Sequence, residues 1–305
     1  MNNIFGIFDI TLFNSTFRMI APILLAALGG LLCERVLVFN IVLEGTMLIG
    51  AFTGVIFSLW GGSSLVGVLA AGLAGMLFSL LLALFVVKLK GDAIVVGIAM
   101  NMLASGLTTY LLRALFGARG QFDDPGIVSL EALQIPLIKD IPVIGPILSG
   151  HTWVVYLSWV MVLAIYILLF RNTLGLRMRG VGQNDEAAQT LGVNVNRVRY
   201  VALAICGVLT GIAGAQLSLG NVTLFVENMS AGRGWIAVVA VMLGNAHPVG
   251  VFLSSLLFGF SDALGFRLQG SMLPYQFSDM IPYVVTLLAV FINQARKRRT
   301  LVNSI

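Results

Sequence analysis

Charge is scarce in this chain. Only 10% of its 305 residues are Asp, Glu, Lys or Arg, where a soluble domain carries about 25%. That shortage excludes a soluble enzyme, a nucleic-acid-binding domain and a secreted module. Histidine and cysteine are nearly missing too, with two of each. Cys33 and Cys206 lie far apart, each in or beside an apolar run. That is neither a disulfide framework nor a metal spacing, and both read as small apolar fillers. Hydrolase signatures are lacking: there is no HExxH, no GxSxG and no paired-Asp motif in a membrane context. No GxxxxGK[ST] loop occurs, so the chain has no P-loop route to ATP hydrolysis. An intramembrane enzyme would need a nucleophile beside a base, and the motifs present assemble neither.

What fills the chain instead is apolar: 58% of residues, with a mean hydropathy of +0.98. A membrane helix needs about 20 mostly apolar residues. Candidate spans read as 17–33, 36–59, 64–87, 93–115, 152–170, 200–219, 234–247, 249–266 and 280–295. The fold class is thus an all-α polytopic membrane protein of about nine spans. The range is eight to ten, since residues 3–13 can add an interfacial or spanning helix. No linker divides it, so residues 1–305 form a single membrane domain. The seventh span is short and ends in Asn245, Ala246, His247 and Pro248. It either enters the membrane and turns back or pairs with the eighth as a tight hairpin.

The net charge of +5 is distributed unevenly. Lys88 and Lys90 close the third span. Arg171, Arg177, Arg179, Arg197 and Arg199 occupy the 171–199 loop, and Arg296, Lys297, Arg298 and Arg299 lie near the end. Nine crossings put all three clusters on one side, and the positive-inside rule makes that side cytoplasmic. The acidic 116–150 loop and the amino terminus then fall outside, although Arg18 pulls the other way. The start lacks a basic cluster and a small-x-small site, so no cleaved signal peptide is expected. A faint echo joins Val66-Gly67-Val68 to Val249-Gly250-Val251, each opening a helix after a Gly-containing turn. On opposite sides of the membrane, that is the form an inverted repeat takes.

Glycine is abundant, with 34 residues. Gly67, Gly72 and Gly75 join Ala70, Ala71 and Ala74 in one span, and Gly207, Gly211 and Gly214 line another. Lipid gives no hydrophobic push between helices, so small faces that pack closely hold such a bundle together. Against this background Glu44 is an anomaly, a carboxylate inside an apolar stretch. Insertion of such a group costs a few kcal/mol, so it faces a cavity, a partner or the bundle interior. It either stitches helices together or acts in substrate binding or gating. Asn40 shares its helical face, and Asp262 and Asn101 invite the same two readings.

The loop RNTLGLRMRGVGQNDEAAQTLGVNVNRVRY carries the most information. Asn184 can cap a short helix that starts with Asp185 and Glu186, as the helix dipole favours, and ends at Gly192. Ala187, Ala188 and Leu191 would give it an apolar face able to dock in a partner's groove. An ordinary arginine-rich re-entry loop is the alternative.

Gly180 to Gly192, in the pattern Gly-x-Gly-x-Asn-x-x-Ala-Ala-x-x-Leu-Gly, resembles the coupling-helix segment of ATP-binding-cassette importer permeases of the ribose/nucleoside class. Asn40-Ile41-Val42-Leu43-Glu44-Gly45-Thr46-Met47-Leu48 resembles the N-I-x-L-E-G-x-M-L signature of that class, with Val42 where a small residue is expected. Ala231-Gly232-Arg233-Gly234-Trp235-Ile236-Ala237 is similar to its G-R-G-[FWY]-x-A motif. Leu273-Pro274-Tyr275-Gln276 and Met280-Ile281-Pro282-Tyr283 are similar to its final-helix region.

The resemblance implies a pore-forming permease subunit of the plasma membrane. It would bind no cofactor, while partner ATPase subunits use ATP. A second permease chain would supply the other half of the pore, and an extracytoplasmic binding protein would deliver the small-molecule substrate. Asp185, Glu186, Ala187, Ala188, Leu191 and Gly192 would contact the ATPase. Nucleosides are the expected cargo, with a ribose or simple-sugar permease as the alternative. A proton-coupled transporter using Glu44 is the reading from another class. A neutral, flat, hydroxyl-rich cargo suits aromatic faces and amides. The candidate pathway therefore comprises Asn40, Glu44, Asn101, Asn221, Phe225 and Trp235, with Asn228 and Arg233 nearby. Phe225 and Trp235 also fit the aromatic belt at span ends.

Overall fold

In a computed structural model, residues 10–134, 144–269 and scattered positions between 280 and 291 are described. Among the described residues ten helices carry the fold, besides a five-residue turn of helix at Ile144–Leu148: α1 (Ile10–Glu34), α2 (Leu43–Gly61), α3 (Ser64–Ala83), α4 (Ala93–Phe116), α5 (Trp153–Arg171), α6 (Thr173–Gln183), α7 (Asp185–Thr190), α8 (Val195–Ala215), α9 (Arg233–Leu243) and α10 (Pro248–Leu268). One π-helical turn, Leu84–Lys88, extends α3, and another, Gln216–Val222, extends α8. Four two-residue strands lie outside the helices: β1 (Gln121–Phe122), β2 (Ala132–Leu133), β3 (His151–Thr152) and β4 (Phe225–Val226). They pair antiparallel as β1–β4 and β2–β3.

Seven helices are long and apolar enough to cross a membrane among the described residues: α1 to α5, α8 and α10. Half of the expected ninth span, 280–295, falls outside the described residues, and so do residues 3–9. Three expectations need correction. The first span starts earlier than 17, because Ile10 to Phe13 belong to α1 itself. The second starts at Leu43, not 36, because residues 35–42 leave the helix with Leu37 at φ +57°. The seventh shrinks to eleven residues and pairs with α10 through the turn 244–247.

Buried contacts order the bundle around α1, which is buried along 89% of its apolar stretch, against 22% for α4. Helices α2, α3 and α8 meet backbone to backbone. A Cβ added to Gly50 would fall on the Gly211 backbone, one on Gly75 would meet Gly207, and one on Gly214 would meet Met47. Ser79 Oγ seals this junction by donating to Leu203 O at 2.7 Å. The small faces read in the sequence therefore pack on each other, which is how helices associate when lipid surrounds them.

Two ends of the bundle are distinguishable. At one, Ser58 Oγ donates to Val128 O and Asn14 donates to Pro146 O. At the other, Arg35 Nε donates to Ala246 O at 2.8 Å and Arg199 Nε to Val36 O at 3.2 Å. Helices α6 and α7 lie at this second end. Both Val-Gly-Val triplets open a helix after a tight turn, but the preceding helices differ: 19 residues in α2, 11 in α9.

Candidate functional site

Glu44 sits in the first turn of α2 and reaches the first turn of α9. Its Oε1 accepts from Gly232 N at 2.8 Å and its Oε2 from Gly234 N at 2.7 Å. The carboxylate thus serves as the missing cap of α9, whose own N-cap, Gly232 at φ +83°, offers no side chain. An anion belongs there, because unpaired N–H groups and the dipole concentrate positive charge at a helix N-terminus. Gly234 is required by proximity: a Cβ there would strike the Glu44 backbone. Helix α9 is roughly 16 Å long, and Ala246, just past its other end, is tied to Arg35. Its N-terminus, and Glu44 with it, therefore stands about 16 Å from that end of the bundle, about half the ~30 Å thickness of a hydrocarbon layer.

The neighbouring amides also serve the backbone. Asn101 Oδ1 accepts from Gly45 N at 2.8 Å, and its Nδ2 donates to Ile41 O at 3.1 Å. Asn40 Oδ1 accepts from Val42 N, and its Nδ2 faces Cys206 Sγ at 3.3 Å and Cys33 Sγ at 3.6 Å. Asn40 and Asn101 replace the hydrogen bonds lost where α2 breaks. Irregular backbone at membrane depth requires such substitutes. The two cysteines are fully buried beside Asn40, apolar fillers with a weak acceptor role.

Arg233 opens α9 and pairs with Asp262 of α10, Nε to Oδ2 at 3.3 Å, with both side chains mostly buried. The chain leading to α9 descends without helix over 223–232, with Thr223, Asn228 and Ala231 at positive φ. For a β-branched residue such as Thr223 that conformation is strained. The descent is held by β4 on β1, by Ser105 Oγ donating to Asn228 Oδ1 at 2.7 Å and by Arg113 against Glu227.

Not all proposed pathway residues converge. Phe225 is fully buried and packs edge-on against Phe52 at 5.2 Å, so it belongs to the core. Asn221 accepts from Gln216 Nε2 at 3.4 Å in the π-helical turn that follows α8. Trp235 is 44% exposed beside the α9 N-terminus. Sequence reasoning missed Gln216, which is wholly buried at the start of the π-helical turn after α8 and whose Oε1 accepts from Thr152 Oγ1 at 2.7 Å. A polar side chain in an apolar run was the signal for it. Ser105 and the Arg35–Ala246 tie join residues far apart in the chain and left no local signal.

At the other end, Asn184 Oδ1 accepts from Ala187 N at 2.9 Å and starts α7. Gly192, at φ +81°, lets the chain turn back after it. Asp185 pairs with Arg199 of α8 at 3.1 Å. Both line an open cleft of about 420 Å³ between α7 and the start of α8, with Glu186, Gln189 and Asn194. The apolar face needs correction. Ala188 is 6% exposed and turned into the chain's own core, whereas Leu191 is 85% exposed. Ala187 and Glu186 are exposed as well. The direction differs because Val193 N returns to Ala188 O and pins that side of α7 inward.

Two ionisable groups outside the spans are shifted. Burial pulls the His151 pKa below its ordinary value, although a hydrogen bond to Ile147 O opposes this. Burial, with the Arg179 guanidinium beside it, lowers that of Arg35.

Comparison with known proteins agrees along nearly the whole chain. The family described as "Branched-chain amino acid transport system / permease component" matches residues 12–290. The chain is 37% identical to the guanosine ABC transporter permease protein NupQ of Bacillus subtilis, covering 90% of each. It is also 37% identical to the nucleoside ABC transporter permease protein NupC of Lactococcus lactis, again over 90% of each. A putative glucose ABC transporter permease protein of Haloferax volcanii is 34% identical over 85% of this chain and 78% of its own length. In fold, the chain resembles a structure titled as an inward-facing conformation of a putative metal-chelate type ABC transporter. The TM-score is 0.55 at 17% identity, over 91% of this chain and 85% of that one. A multi-pass bundle with a capped half-length helix inside it, matched by one family from residue 12 to residue 290, leads to one assignment: the chain belongs to the permease-component family of ATP-binding-cassette transport systems.

Proposed function

We propose that this chain forms one half of a pore that imports nucleosides. The observation that carries the reading is the electrostatic state of the mid-depth site. Glu44 is taken up by two backbone N–H groups and Arg233 by Asp262. What stays exposed there is neutral: the Trp235 face and the Asn228–Ser105 pair. A flat base can lie on an indole, and hydroxyls can pair with an amide, whereas a phosphorylated cargo would meet no free cation among these groups. The relatives named for guanosine and nucleoside transport support the same cargo. The Haloferax relative keeps a simple-sugar permease as the second reading.

In this proposal α6 and α7 face the cytoplasm, as the arginines of 171–199 favour. The protruding Leu191, flanked by Glu186 and Ala187, docks in a groove of the ATPase subunit. ATP is bound there and not by this chain. A second permease completes the pore, and an external binding protein delivers cargo at the 117–152 end. The α2–α3 and α9–α10 hairpins descend from an inverted repeat.

The test is uptake of labelled nucleoside by the full assembly in proteoliposomes. Competition by unlabelled nucleosides, and none by a nucleotide or free ribose, is expected. Competition by ribose but not by other nucleosides would replace the assignment with a sugar permease. Strong competition by the nucleotide would refute the charge argument. Uptake that follows a proton gradient without any ATPase would refute the coupling.

A further inference from the structure

One charged cluster has no part in the pathway or in α7. Arg35, at the end of α1, and Arg179, in α6, lie side by side where α1, α5, α6 and the α9–α10 turn converge. Arg35 is anchored through Nε to Ala246 O. Helix α6 crosses directly over it, since a Cβ on Gly182 would collide with Arg35 O. The Arg179 guanidinium lies over the Phe170 ring at 5.1 Å, and Phe170 also packs on the His247 imidazole at 5.4 Å. Both arginines are half-buried. Neither forms a salt bridge among the described residues, and Arg179 Nε is buried without a hydrogen-bond partner.

Two adjacent cations without a counter-ion repel each other and lose solvation, a cost that one bound anion removes. Burial and Arg179 are the causes that lower the Arg35 pKa, and no carboxylate among the described residues acts against them. The surroundings indicate which anion. Phe170 lies in the last turn of α5, whose residues Val160, Leu163 and Ile167 are exposed and apolar. Helix α10 starts at the same place and exposes Val249 and Leu253. An apolar track thus runs away from the arginine pair along both helices, toward the middle of the membrane. A soluble anion has no use for such a track, but an acyl chain does. Basic pockets at helix ends bind anionic headgroups in this way.

We infer that Arg35 and Arg179, with Phe170 beneath them, form a site for the phosphodiester headgroup of an anionic phospholipid, whose acyl chains lie along α5 and α10. The guanidinium fork suits two phosphate oxygens at once. Bound there, the lipid joins the base of α1 to the α6–α7 elbow.

The experiment is native mass spectrometry of the complete transporter in detergent, titrated with phosphatidylglycerol or with phosphatidylcholine. Phosphatidylglycerol is expected to bind more tightly, and Arg179→Gln to weaken it roughly fivefold, the order expected for one basic residue at a lipid surface. Arg177→Gln, an exposed charge on the same helix, should leave the preference intact. Arg179→Lys, which keeps the charge without the fork, should fall between them and guards against misfolding as the explanation. An unchanged preference in Arg179→Gln would overturn the site. Complete displacement of phosphatidylglycerol by excess inorganic phosphate would overturn the lipid in favour of a soluble anion. Binding seen only after the ATPase subunits are stripped away would mean that an acidic partner side chain fills the pair, and would overturn it too.

Discussion

Replacing Glu44 should loosen α9 at its start before it affects anything else. In Glu44→Ala, the Gly232 and Gly234 N–H groups both lose their acceptor. A hydrogen bond to a charged group contributes about 1.5–3 kcal/mol, so two give about 3–6 kcal/mol. Glu44 is half-buried rather than sealed, and water can partly replace it, so the lower end, about 3 kcal/mol, is the working figure. Glu44→Gln keeps one carbonyl oxygen but turns an NH2 toward the other donor, so it should lose about half of that. Hydrogen–deuterium exchange of the peptide containing Gly232 and Gly234, in nanodiscs, reads this locally. About 3 kcal/mol corresponds to exchange faster by roughly 100-fold in Glu44→Ala, with Glu44→Gln between it and the parent. Uptake should fall in the same order. Unchanged exchange in Glu44→Ala would refute the cap. Slow exchange with abolished uptake in Glu44→Gln would assign Glu44 to the cargo instead.

Gly211→Ala should cost about 1–3 kcal/mol by overpacking, because its Cβ would meet the Ala71 backbone. Gly106→Ala, in open space on α4, should cost nothing in the same melting assay. Leu191→Arg should abolish uptake and substrate-stimulated ATP hydrolysis with an unchanged melting temperature, whereas Ala188→Arg should lower the yield of folded protein. Asp262→Asn leaves the Arg233 charge buried alone, at about 3 kcal/mol. Adding Arg233→Gln should restore most of the lost melting temperature, and a double variant no better than the single would refute the pairing. His151 is held neutral by burial, so the unfolded chain takes up the proton more readily. Stability should be full above the ordinary value of 6.5 and decline as pH falls through the lowered folded value. His151→Gln should flatten that part of the melting profile, and an unaltered slope would count against it.

Much of the bundle was legible in the sequence because hydrophobic length and small-residue spacing are local properties. The 93–115 span and the Gly207, Gly211 and Gly214 face needed only counting. The breaks were not legible in the same way. Residues 35–42 are as apolar as a helix, and only Asn40 hinted that the backbone there pairs with a side chain instead. Glu44 was conspicuous as a misplaced charge, but its partners are backbone N–H groups nearly two hundred residues away, which no composition reveals. Phe225 was misread because an aromatic beside polar residues looks like a pathway, while the strand pairing of β4 turns it onto Phe52. On α7, composition marked both Ala188 and Leu191, and only the return of Val193 N to Ala188 O decides which points outward.

The glycine junction of α2, α3 and α8 bears on how the chain is made. Glycine and alanine have no rotamers to freeze, so joining these helices costs almost no side-chain entropy. Yet α8 is synthesised long after α2 and α3, with α4 and α5 in between. Until it arrives, the α2–α3 hairpin holds a smooth groove of bare backbone open to lipid, and Gly50 and Gly75 wait for Gly211 and Gly207. During biogenesis that groove is the surface most open to a wrong helix. Truncation of the nascent chain before residue 195 should leave a hairpin that insertion chaperones retain and proteases of the membrane degrade.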